Sequence, residues 1–444
     1  MFGTSGVRGP VGETITAATA LAIGRAVGTD ADRVVVGRDA RDSGRMLTDA
    51  VVAGLQETGT DVLDTGTAAT PTVARGIAHR NADAGIVVTA SHNPAPDNGL
   101  KLWTPSGQAF STAKQDEIEA RIEASDYDLA AWDEQGVRRE WPDASAVHRE
   151  ALVEAGQQAA DAADVSLEGF SVVVDLGNGM GGVAADALHE LGADVETLNA
   201  QPDGRFPGRP SEPTAETCET LATTVEAVEA DLGIAHDGDA DRMMAVADGG
   251  TFVPGDLLLA MFGREEASDG ESVAAPVDTS LAGDDALAEV GADVVRTRVG
   301  DVYVAERTRD EGVVFGGEPS GAWIFPGETY CPDGPLAAVK LAVLAAAEPL
   351  SERIGRIDRY PIRRASIETD RKDVVMAAVA ERIRAEYDDV TDLDGLRVGT
   401  DDGWFLVRPS GTQPLVRLTA EARDDERADE LLATARSLLE DAME

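Results

Sequence analysis

Short apolar runs alternate with longer amphipathic stretches along most of the chain, and each run ends in a loop that contains Gly, Asp or Asn. Five such runs cover Arg33 to Gly37, Ala84 to Thr89, Phe170 to Asp175, Asp231 to His236 and Met243 to Asp248. Strands that alternate with helices predict βαβ units, and therefore an α/β fold with helices covering the sheets. In such folds, catalytic groups collect in loops beyond the carboxyl ends of strands.

Breaks in this pattern divide the chain into four parts. An Ala-rich stretch with helical character, Ala144 to Ala163, separates the first α/β block from the second, and further breaks lie at Asp248 to Gly250 and at Ile357 to Tyr360. We therefore expect domains at residues 1–145, 146–248, 249–356 and 357–444.

The last part has a different pattern from the other three. It predicts a strand, a helix at Val374 to Tyr387, paired strands around Gly403 and Leu415 to Glu421, and a final helix at Glu426 to Ala442. This order predicts a small α+β domain instead of another βαβ unit.

Length and composition agree with several globular domains. A chain of 444 residues is too long for one ordinary core, and 43% hydrophobic residues suffice for cores built mostly from Ala, Val and Leu. Acidic residues outnumber basic ones 82 to 38, which gives a net charge of −44. Such a surface argues against nucleic acid or an anionic membrane as a partner and is typical of adaptation to a salty cytoplasm. Nothing in the sequence predicts an oligomeric state.

Cysteine usage and hydropathy indicate the compartment. Cys218 and Cys331 are the two cysteines, and neither belongs to a CxxC pair. No stretch approaches the ~18 apolar residues of a membrane span, and no basic segment followed by an apolar one opens the chain. We expect a soluble cytoplasmic protein.

The first loop with candidate chemistry is Thr89 to Pro94, directly after an apolar run. Ser91 could act as a nucleophile there, with His92 as a possible base and Lys101 as a cation for developing charge. The alternative is a simple serine turn before a proline.

The second loop alternates aspartates with small residues after a predicted strand. Asp237, Asp239 and Asp241 can direct carboxylate oxygens at one hard cation, which is the ligand type that Mg²⁺ prefers. A calcium-binding EF-hand is excluded because Arg242 stands where that loop needs Gly. A solvated acidic turn is the remaining alternative.

The third loop combines hydroxyls, backbone amides and an arginine. Arg408, Ser410, Gly411 and Thr412, with Arg417 further on, form a pattern suited to holding a phosphate dianion. A plain Pro-Ser-Gly turn is the alternative.

Two further segments carry weaker signals. Glu318 and Ser320, in a Gly-rich loop, could hydrogen-bond to sugar hydroxyls, although a plain turn is the better interpretation of this segment on its own. The segment Gly3 to Gly9 is glycine-rich but lacks the lysine of a nucleotide-binding P-loop. Arg8 within it is better interpreted as a cation that faces a phosphate.

Taken together and in order, these loops resemble those of the α-D-phosphohexomutase superfamily, which includes phosphoglucomutases, phosphomannomutases and phosphoglucosamine mutases. The matching segments are Gly3 to Gly9, Thr89 to Pro94, Asp237 to Arg242, Gly317 to Gly321 and Arg408 to Thr412. The spacing of Pro202 to Arg209 is most similar to archaeal members. The resemblance implies three similar mixed-sheet α/β domains and a smaller TATA-box-binding-protein-like fourth domain around a central cleft.

The resemblance also implies a role for each residue. Ser91 would be the phosphoserine, and it would hold one Mg²⁺ together with Asp237, Asp239 and Asp241. Lys101 falls where the family has its general acid/base, next to His92, while Arg8 and Arg242 would flank the transferred group. Substrate would be held by Glu318 and Ser320 at the sugar and by Arg408, Ser410, Gly411, Thr412 and Arg417 at the other phosphate.

The implied reaction starts when phosphorylated Ser91 donates its group to a sugar phosphate. The resulting hexose 1,6-bisphosphate turns over in the cleft and returns its other phosphate to Ser91. We expect glucosamine phosphate to be the substrate, with mannose and glucose phosphates as alternatives. Many bacterial members carry a histidine where this chain has Ala322, so their sugar preference does not transfer to this chain. A non-catalytic sugar-phosphate binder and a metal-dependent phosphatase remain alternatives from other classes.

Overall fold

The structure is a computed structural model, and it describes residues 1–3, 6–410 and 414–443. Four sheets form in chain order: three are mixed sheets covered by helices, and the fourth is antiparallel. The α/β prediction for the first three parts and the α+β prediction for the last are therefore confirmed. None of the helices in the described ranges is long and apolar enough to cross a membrane.

The first sheet has six strands in the spatial order β1-β5-β4-β2-β3-β6. The strands are β1 (Val7–Pro10), β2 (Arg33–Arg38), β3 (Asp61–Thr67), β4 (Ala84–Val88), β5 (Asp97–Trp103) and β6 (Arg138–Glu140). The helices are α1 (Ala17–Gly28), α2 (Gly44–Glu57), α3 (Thr70–His79) and α4 (Thr112–Ala124). All five residues of β4 are buried, because helices cover both faces of this central strand.

The second sheet follows the long helix α5 (Ala144–Ala163) and has the order β11-β10-β9-β7-β8. The strands are β7 (Ser171–Asp175), β8 (Asp194–Leu198), β9 (Leu232–His236), β10 (Met243–Ala247) and β11 (Thr251–Val253). The helices are α6 (Gly182–Glu190) and α7 (Glu219–Val228).

The third sheet has four strands in the order β13-β12-β14-β15. The strands are β12 (Ser272–Pro276), β13 (Asp293–Thr297), β14 (Val313–Gly317) and β15 (Trp323–Ile324). The helices are α8 (Gly255–Glu266), α9 (Leu281–Ala288), α10 (Asp301–Arg307), α11 (Gly334–Ala347) and α12 (Leu350–Ile354). Its core is continuous with that of the second sheet in one cluster of buried side chains.

The fourth sheet is wholly antiparallel, in the order β16-β20-β19-β18-β17. The strands are β16 (Ile362–Glu368), β17 (Val390–Thr391), β18 (Leu396–Thr400), β19 (Gly403–Pro409) and β20 (Leu415–Ala422). Helices α13 (Lys372–Glu386) and α14 (Asp425–Met443) pack on one face. The bounds of both helices lie within two residues of the prediction.

One connection recurs in each of the three mixed sheets. Four strands of each sheet share one arrangement, in which the third strand in chain order runs parallel to the first and antiparallel to the fourth. The turn between the third and fourth strands is β4 to β5 in the first sheet, β9 to β10 in the second and β14 to β15 in the third. These three turns contain Ser91, the three aspartates and Glu318, so the fold places the candidate residues at equivalent positions.

The fourth sheet is attached to the third through a buried carboxylate. Glu421 on β20 accepts hydrogen bonds from Ser280 Oγ at 2.5 Å and from the Leu281 backbone N–H at 2.7 Å, at the start of α9. Its side chain also accepts from Trp404 Nε1 at 2.8 Å. This contact holds the arginine-bearing sheet against the third domain.

Candidate active site

A single cleft of about 800 Å³ lies where the four sheets meet. Ten of the residues predicted from the sequence line it: Arg8, Ser91, His92, Asp241, Arg242, Glu318, Ser320, Arg408, Ser410 and Arg417. Lys101, Asp237 and Asp239 are buried and bond to one another or to lining residues. Gly411 and Thr412, also predicted to hold phosphate, lie outside the described residues.

Ser91 is positioned by a left-handed backbone conformation just after β4. Its φ of +50° is uncommon for a residue with a side chain, and its N–H donates to Thr89 Oγ1 at 2.9 Å. The side chain is 1% exposed, and Oγ donates to Asp237 Oδ2 at 2.7 Å and to Asp241 Oδ1 at 3.4 Å. The hydroxyl of the first loop is thus aimed at the carboxylates of the second.

His92 does not hydrogen-bond to Ser91 in this arrangement. Its Nδ1 is buried and has no hydrogen-bond partner among the described residues. Burial, together with the nearby Arg242 and Arg8 guanidinium groups, lowers the pKa of His92 to about 2. His92 is therefore a neutral ring that lines the cleft. The sequence suggested His92 as the partner of the Ser91 hydroxyl, but in the structure that partner is Asp237.

Lys101 on β5 lies beneath the cleft and pairs with the aspartate loop. Its Nζ donates to Asp239 Oδ2 at 2.8 Å and also contacts Asp241 Oδ2. Burial alone would lower the pKa of Lys101, but the Asp239 and Asp241 carboxylates outweigh it and raise the pKa. Lys101 therefore holds its proton in this state.

Asp237, Asp239 and Asp241 form a compact carboxylate cluster, with one oxygen of each lying within 4.8 Å of the others. Asp239 Oδ1 is buried and has no hydrogen-bond partner among the described residues. Burial raises the pKa of Asp237, and the Asp241 and Asp239 carboxylates raise it further. An oxygen without a partner and mutual repulsion are both relieved by a hard divalent cation, so this donor set fits Mg²⁺.

The aspartate loop is also attached to the first domain. At the start of α3, Thr70 donates from its N–H to Asp239 O at 2.9 Å and from Oγ1 to Asp239 Oδ2 at 2.5 Å. Arg242, which ends the loop, donates its N–H to Asp237 Oδ1 at 3.2 Å. Asp239 is therefore held by the first domain, and Asp237 is held by the backbone of its own loop.

The sugar loop contributes Glu318 and Ser320 from the third sheet. Glu318 Oε1 accepts from the Gly300 N–H at 2.7 Å, and Oε2 lies 3.4 Å from Ser320 Oγ. Burial raises the pKa of Glu318 to about 7, and the Asp301 carboxylate contributes in the same direction. Ala322 stands where many bacterial members of the family carry a histidine. It lines the cleft and forms a backbone bridge with Arg242.

Three arginines lie on one face of the fourth sheet. Arg408 and Arg417 are directly opposite each other on β19 and β20, and Ser366 on β16 is opposite Arg417. Because side chains alternate along a strand, Arg364, two residues before Ser366, shares this face. Arg364, Arg408 and Arg417 all line the cleft, and we name them the arginine clasp. Arg408 forms an ion pair with Asp394, with 2.9 Å between Nε and Oδ2.

Sequence reasoning missed several cleft residues. Arg364 was not predicted because it lies in a strand with no loop motif, and only the observed register shows which face it occupies. Asp256 and Asp278 from the third domain also line the cleft. Burial raises the pKa of Asp256 to about 6. Single aspartates outside a motif cannot be recognised as site residues in a chain with 82 acidic residues.

Fold and site define a four-domain protein of the phosphohexomutase type, and comparisons with known proteins agree. Models of the phosphoglucomutase/phosphomannomutase domains match in order: α/β/α domain I at residues 1–128, domain II at 150–250, domain III at 254–360 and the C-terminal domain at 365–437. The chain belongs to this family, within the α-D-phosphohexomutase superfamily.

Full-length relatives and solved structures extend this similarity. Proteins called probable phosphoglucosamine mutase from Methanopyrus kandleri and Methanococcoides burtonii are 45% and 42% identical, and the alignments cover 97% and 100% of this chain and 95% and 99% of theirs. A phosphoglucomutase/phosphomannomutase family protein from Burkholderia thailandensis superposes with a TM-score of 0.86 at 27% identity, covering 100% of this chain and 98% of that one. An Aspergillus fumigatus N-acetylphosphoglucosamine mutase, solved with GlcNAc-6P and magnesium, shares the fold with a TM-score of 0.61 at 15% identity, covering 99% and 95%.

Proposed function

We propose that this protein is a phosphoglucosamine mutase that interconverts glucosamine 6-phosphate and glucosamine 1-phosphate. The observation that carries the proposal is the convergence of Ser91, the aspartate cluster, the sugar loop and the arginine clasp on one cleft. Relatives named for this activity are 39–45% identical to nearly the whole chain. We also propose domain limits close to 1–145, 146–248, 249–356 and 357–444, with the second domain extended to Val253 because β11 pairs with β10 of its sheet.

In the proposed mechanism, phosphorylated Ser91 is the phosphoryl donor. The bond between phosphorus and Ser91 Oγ breaks as a bond to the free sugar hydroxyl forms, which gives a hexose 1,6-bisphosphate. After the bisphosphate turns over, its other phosphate returns to Ser91 Oγ, so that each cycle restores the starting enzyme. Arg8 and Arg242 balance the charge of the group in transit, because both line the cleft beside Ser91.

Asp237, Asp239 and Asp241 would hold Mg²⁺ together with Ser91. Bound there, the ion would supply positive charge next to the phosphoryl oxygens. Lys101 carries its proton at Nζ and lies between Asp239 and Asp241, so it is placed to exchange a proton with the reacting oxygen as general acid/base. Lys101 would therefore supply the proton, while the arginines and the bound ion would balance the charge.

The remaining groups hold the part of the substrate that does not react. Glu318 and Ser320 would bond to sugar hydroxyls, while Arg408, Arg417, Ser410, Gly411 and Thr412 would hold the other phosphate. Arg364 adds a further cation to this arginine clasp. Charged hydrogen bonds to a phosphate are strong in a partly dry cleft, which explains how a chain of charge −44 binds a dianion.

The acidic composition also supports a salt-rich cytoplasm as the setting. At about 1 M salt the Debye length is about 3 Å, so repulsion among surface carboxylates is screened. Cys218 and Cys331 are both free and buried, which agrees with a reducing compartment.

Steady-state assays with glucosamine, mannose and glucose phosphates test the assignment. We expect the highest kcat/KM with glucosamine 6-phosphate, and faster turnover of mannose or glucose phosphate would instead identify a phosphomannomutase or phosphoglucomutase. Intact-mass measurement should find phosphate on Ser91 that is lost and regained with substrate. Tight binding without turnover would indicate a sugar-phosphate binder, and stoichiometric release of free phosphate would indicate a phosphatase.

A further inference from the structure

The nucleophile loop and the metal loop come from different domains, yet phosphoryl transfer requires a fixed distance between them. Ser91 follows β4 in the first sheet, and Asp237 follows β9 in the second. Their direct contact is the hydrogen bond from Ser91 Oγ to Asp237 Oδ2 at 2.7 Å. That bond cannot persist once the hydroxyl carries a phosphate, so the spacing of the two backbones then depends on other contacts between the domains.

Ser211, between β8 and α7, provides such a link. Its hydroxyl donates to Ser91 O at 3.0 Å and accepts from the Gly238 N–H at 3.0 Å, and its side chain is buried. One side-chain oxygen therefore joins the backbone of the nucleophile to the backbone of the metal loop. The approach is close, because a methyl group on Gly238 would lie 2.8 Å from both Ser211 Oγ and Ser91 O.

Ser211 is the last residue of a segment, residues 204–211, that also packs against Arg41. This arginine bonds to the backbone of the nucleophile loop. Arg41 is 1% exposed, and its Nη2 donates to Ser91 O at 2.8 Å and to Asn93 O at 2.6 Å. Phe206 lies over this guanidinium at 4.9 Å from its ring centroid. A side chain at Gly204 would meet the Arg41 backbone at 2.2 Å, so the segment is seated directly against it.

The far end of the segment holds the strand that leads into the metal loop. Arg209 Nη2 donates to His236 O at 2.6 Å, immediately before Asp237. Arg209 Nε also donates to Asp175 Oδ2 at 2.7 Å, at the end of the neighbouring strand β7. The segment therefore contacts the nucleophile loop through Phe206 and the metal loop through Arg209, with Ser211 joining both.

We propose that Ser211 is a positioning residue for phosphoryl transfer, and that the segment 204–211 holds Ser91 at a set distance from the metal loop while Ser91 alternates between free and phosphorylated forms. This rests on the proposed mutase function. Ser211 is not among the residues that line the cleft. Its loss should therefore slow phosphoryl transfer without weakening the binding of the sugar phosphate. A misplacement of about 1 Å at a reacting centre can cost about 100-fold in rate.

The test compares Ser211→Ala with Ser171→Ala in the full chain. Ser171 is a matched control, since its hydroxyl also bridges two segments of the second sheet, donating to Asp231 Oδ2 at 2.7 Å and accepting from the Asp231 N–H at 3.0 Å. For Ser211→Ala we expect kcat with glucosamine 6-phosphate to fall between about 10- and 100-fold, with KM changed less than about twofold. The control should retain both constants.

A second measurement separates failure of this proposal from failure of the proposed function. Titration calorimetry of Mg²⁺ does not depend on turnover, and Ser211→Ala should weaken Mg²⁺ binding several-fold relative to Ser171→Ala. If the unchanged protein turns over no hexose phosphate, the proposed function is wrong, and the role of Ser211 is then decided by calorimetry alone. In that case, equal Mg²⁺ affinity of the two variants overturns the positioning role. Equal kcat in an active enzyme overturns it as well.

Phe206→Leu keeps the test decisive if Ser211→Ala does not fold. Leucine retains an apolar side chain but removes the ring from the Arg41 guanidinium, so we expect kcat to fall between about 3- and 10-fold with KM retained. A rise in KM with unchanged kcat would contradict the proposal, because it would place the segment in substrate binding.

Discussion

The nucleophile and metal loops differ physically from the arginine clasp, although both line one cleft. Ser91 is 1% exposed, and its surroundings are bonded by side chains and backbones from two domains. Arg364 and Arg417 instead project from a sheet face and are exposed, and in the clasp only Arg408 has an ion-pair partner among the described residues. The reacting region is buried and held by several hydrogen bonds, whereas the phosphate-holding region is open.

This difference agrees with what each region must do in a mutase. A transfer step gains most from groups held in place before reaction, in surroundings from which water is excluded. The clasp must accept either end of a bisphosphate in turn and release the product, so exposed arginines that can adjust are suited to it. Substitutions in the first region should therefore lower kcat, and substitutions in the second should raise KM.

Ser91→Ala should have the largest effect. Removing the hydroxyl that would carry the phosphate should lower kcat by at least about 10⁴-fold, because the covalent route is lost. Ser106→Ala, in an exposed turn of the same domain, is the control and should keep normal activity. Near-normal turnover by the Ser91 variant, measured by steady-state assay, would show that another group carries the phosphate.

Mg²⁺ should stabilise the protein through the carboxylate cluster. Saturating Mg²⁺ binds only the folded state, so the melting temperature should rise by a few degrees, and chelation should abolish turnover. Asp237→Asn should lose the rise in melting temperature, whereas Asp194→Asn, an exposed carboxylate of the same domain, should retain it. An equal rise in both variants would mean that the ion binds elsewhere.

Arg408→Ala should raise KM by about 10- to 100-fold with little change in kcat, which is the range for losing a charged hydrogen bond to phosphate. Arg364→Ala should raise KM less, by about 3- to 10-fold, because this exposed arginine has no ion-pair partner among the described residues to hold it in place.

Arg363→Ala is a matched control for Arg364→Ala. The two arginines are neighbours on β16, but Arg363 bonds to Asp429 and Asp425 on α14, on the other face of the sheet. KM should therefore stay unchanged in the Arg363 variant. If both variants raise KM equally, the effect comes from the fold of the domain and not from the clasp.

Glu318 should give a smaller, pH-dependent effect. Since burial raises the pKa of Glu318 to about 7, its acceptor form is lost as the pH falls through 7, and KM should rise by a few-fold between about pH 8 and pH 6. Glu318→Gln cannot titrate, so its KM should be higher and should show only the pH dependence of the substrate phosphate. Parallel KM profiles for both proteins would exclude Glu318 as the titrating group.

The sequence predicted the reacting region better than the clasp. Ser91 and the three aspartates lie in short loops whose spacing already indicates their chemistry, and the strands before them were predicted to within one residue. Arg364 and Ser211 carry no such signal. Arg364 joins the clasp only through the register of β16 with β20, and Ser211 reaches Ser91 only through the packing of two domains.

His92 shows the limit of reasoning from neighbours in sequence. Proximity to Ser91 suggested a base, but the turn directs the Ser91 hydroxyl towards Asp237, which is 146 residues away along the chain. Which group a side chain meets depends on the left-handed conformation of Ser91 and on the approach of the second domain, and neither is encoded in a local pattern.

Salt should change activity less than any of the active-site substitutions above. It should act on the acidic surface, and therefore on stability, more than on the buried reacting region. With a net charge of −44, exposed carboxylates repel one another, so the melting temperature should rise by several degrees as KCl increases from about 0.1 M to about 2 M. The buried pairs of Lys101 with Asp239 and Asp241 are shielded from mobile ions, so kcat of the folded enzyme should change less than about twofold over the same range. Circular dichroism melts and assays well below the melting temperature measure both quantities. A melting temperature that does not depend on salt would contradict the halophilic interpretation, and a kcat that falls steeply would show that the reacting region is more open to solvent than the burial of Ser91 indicates.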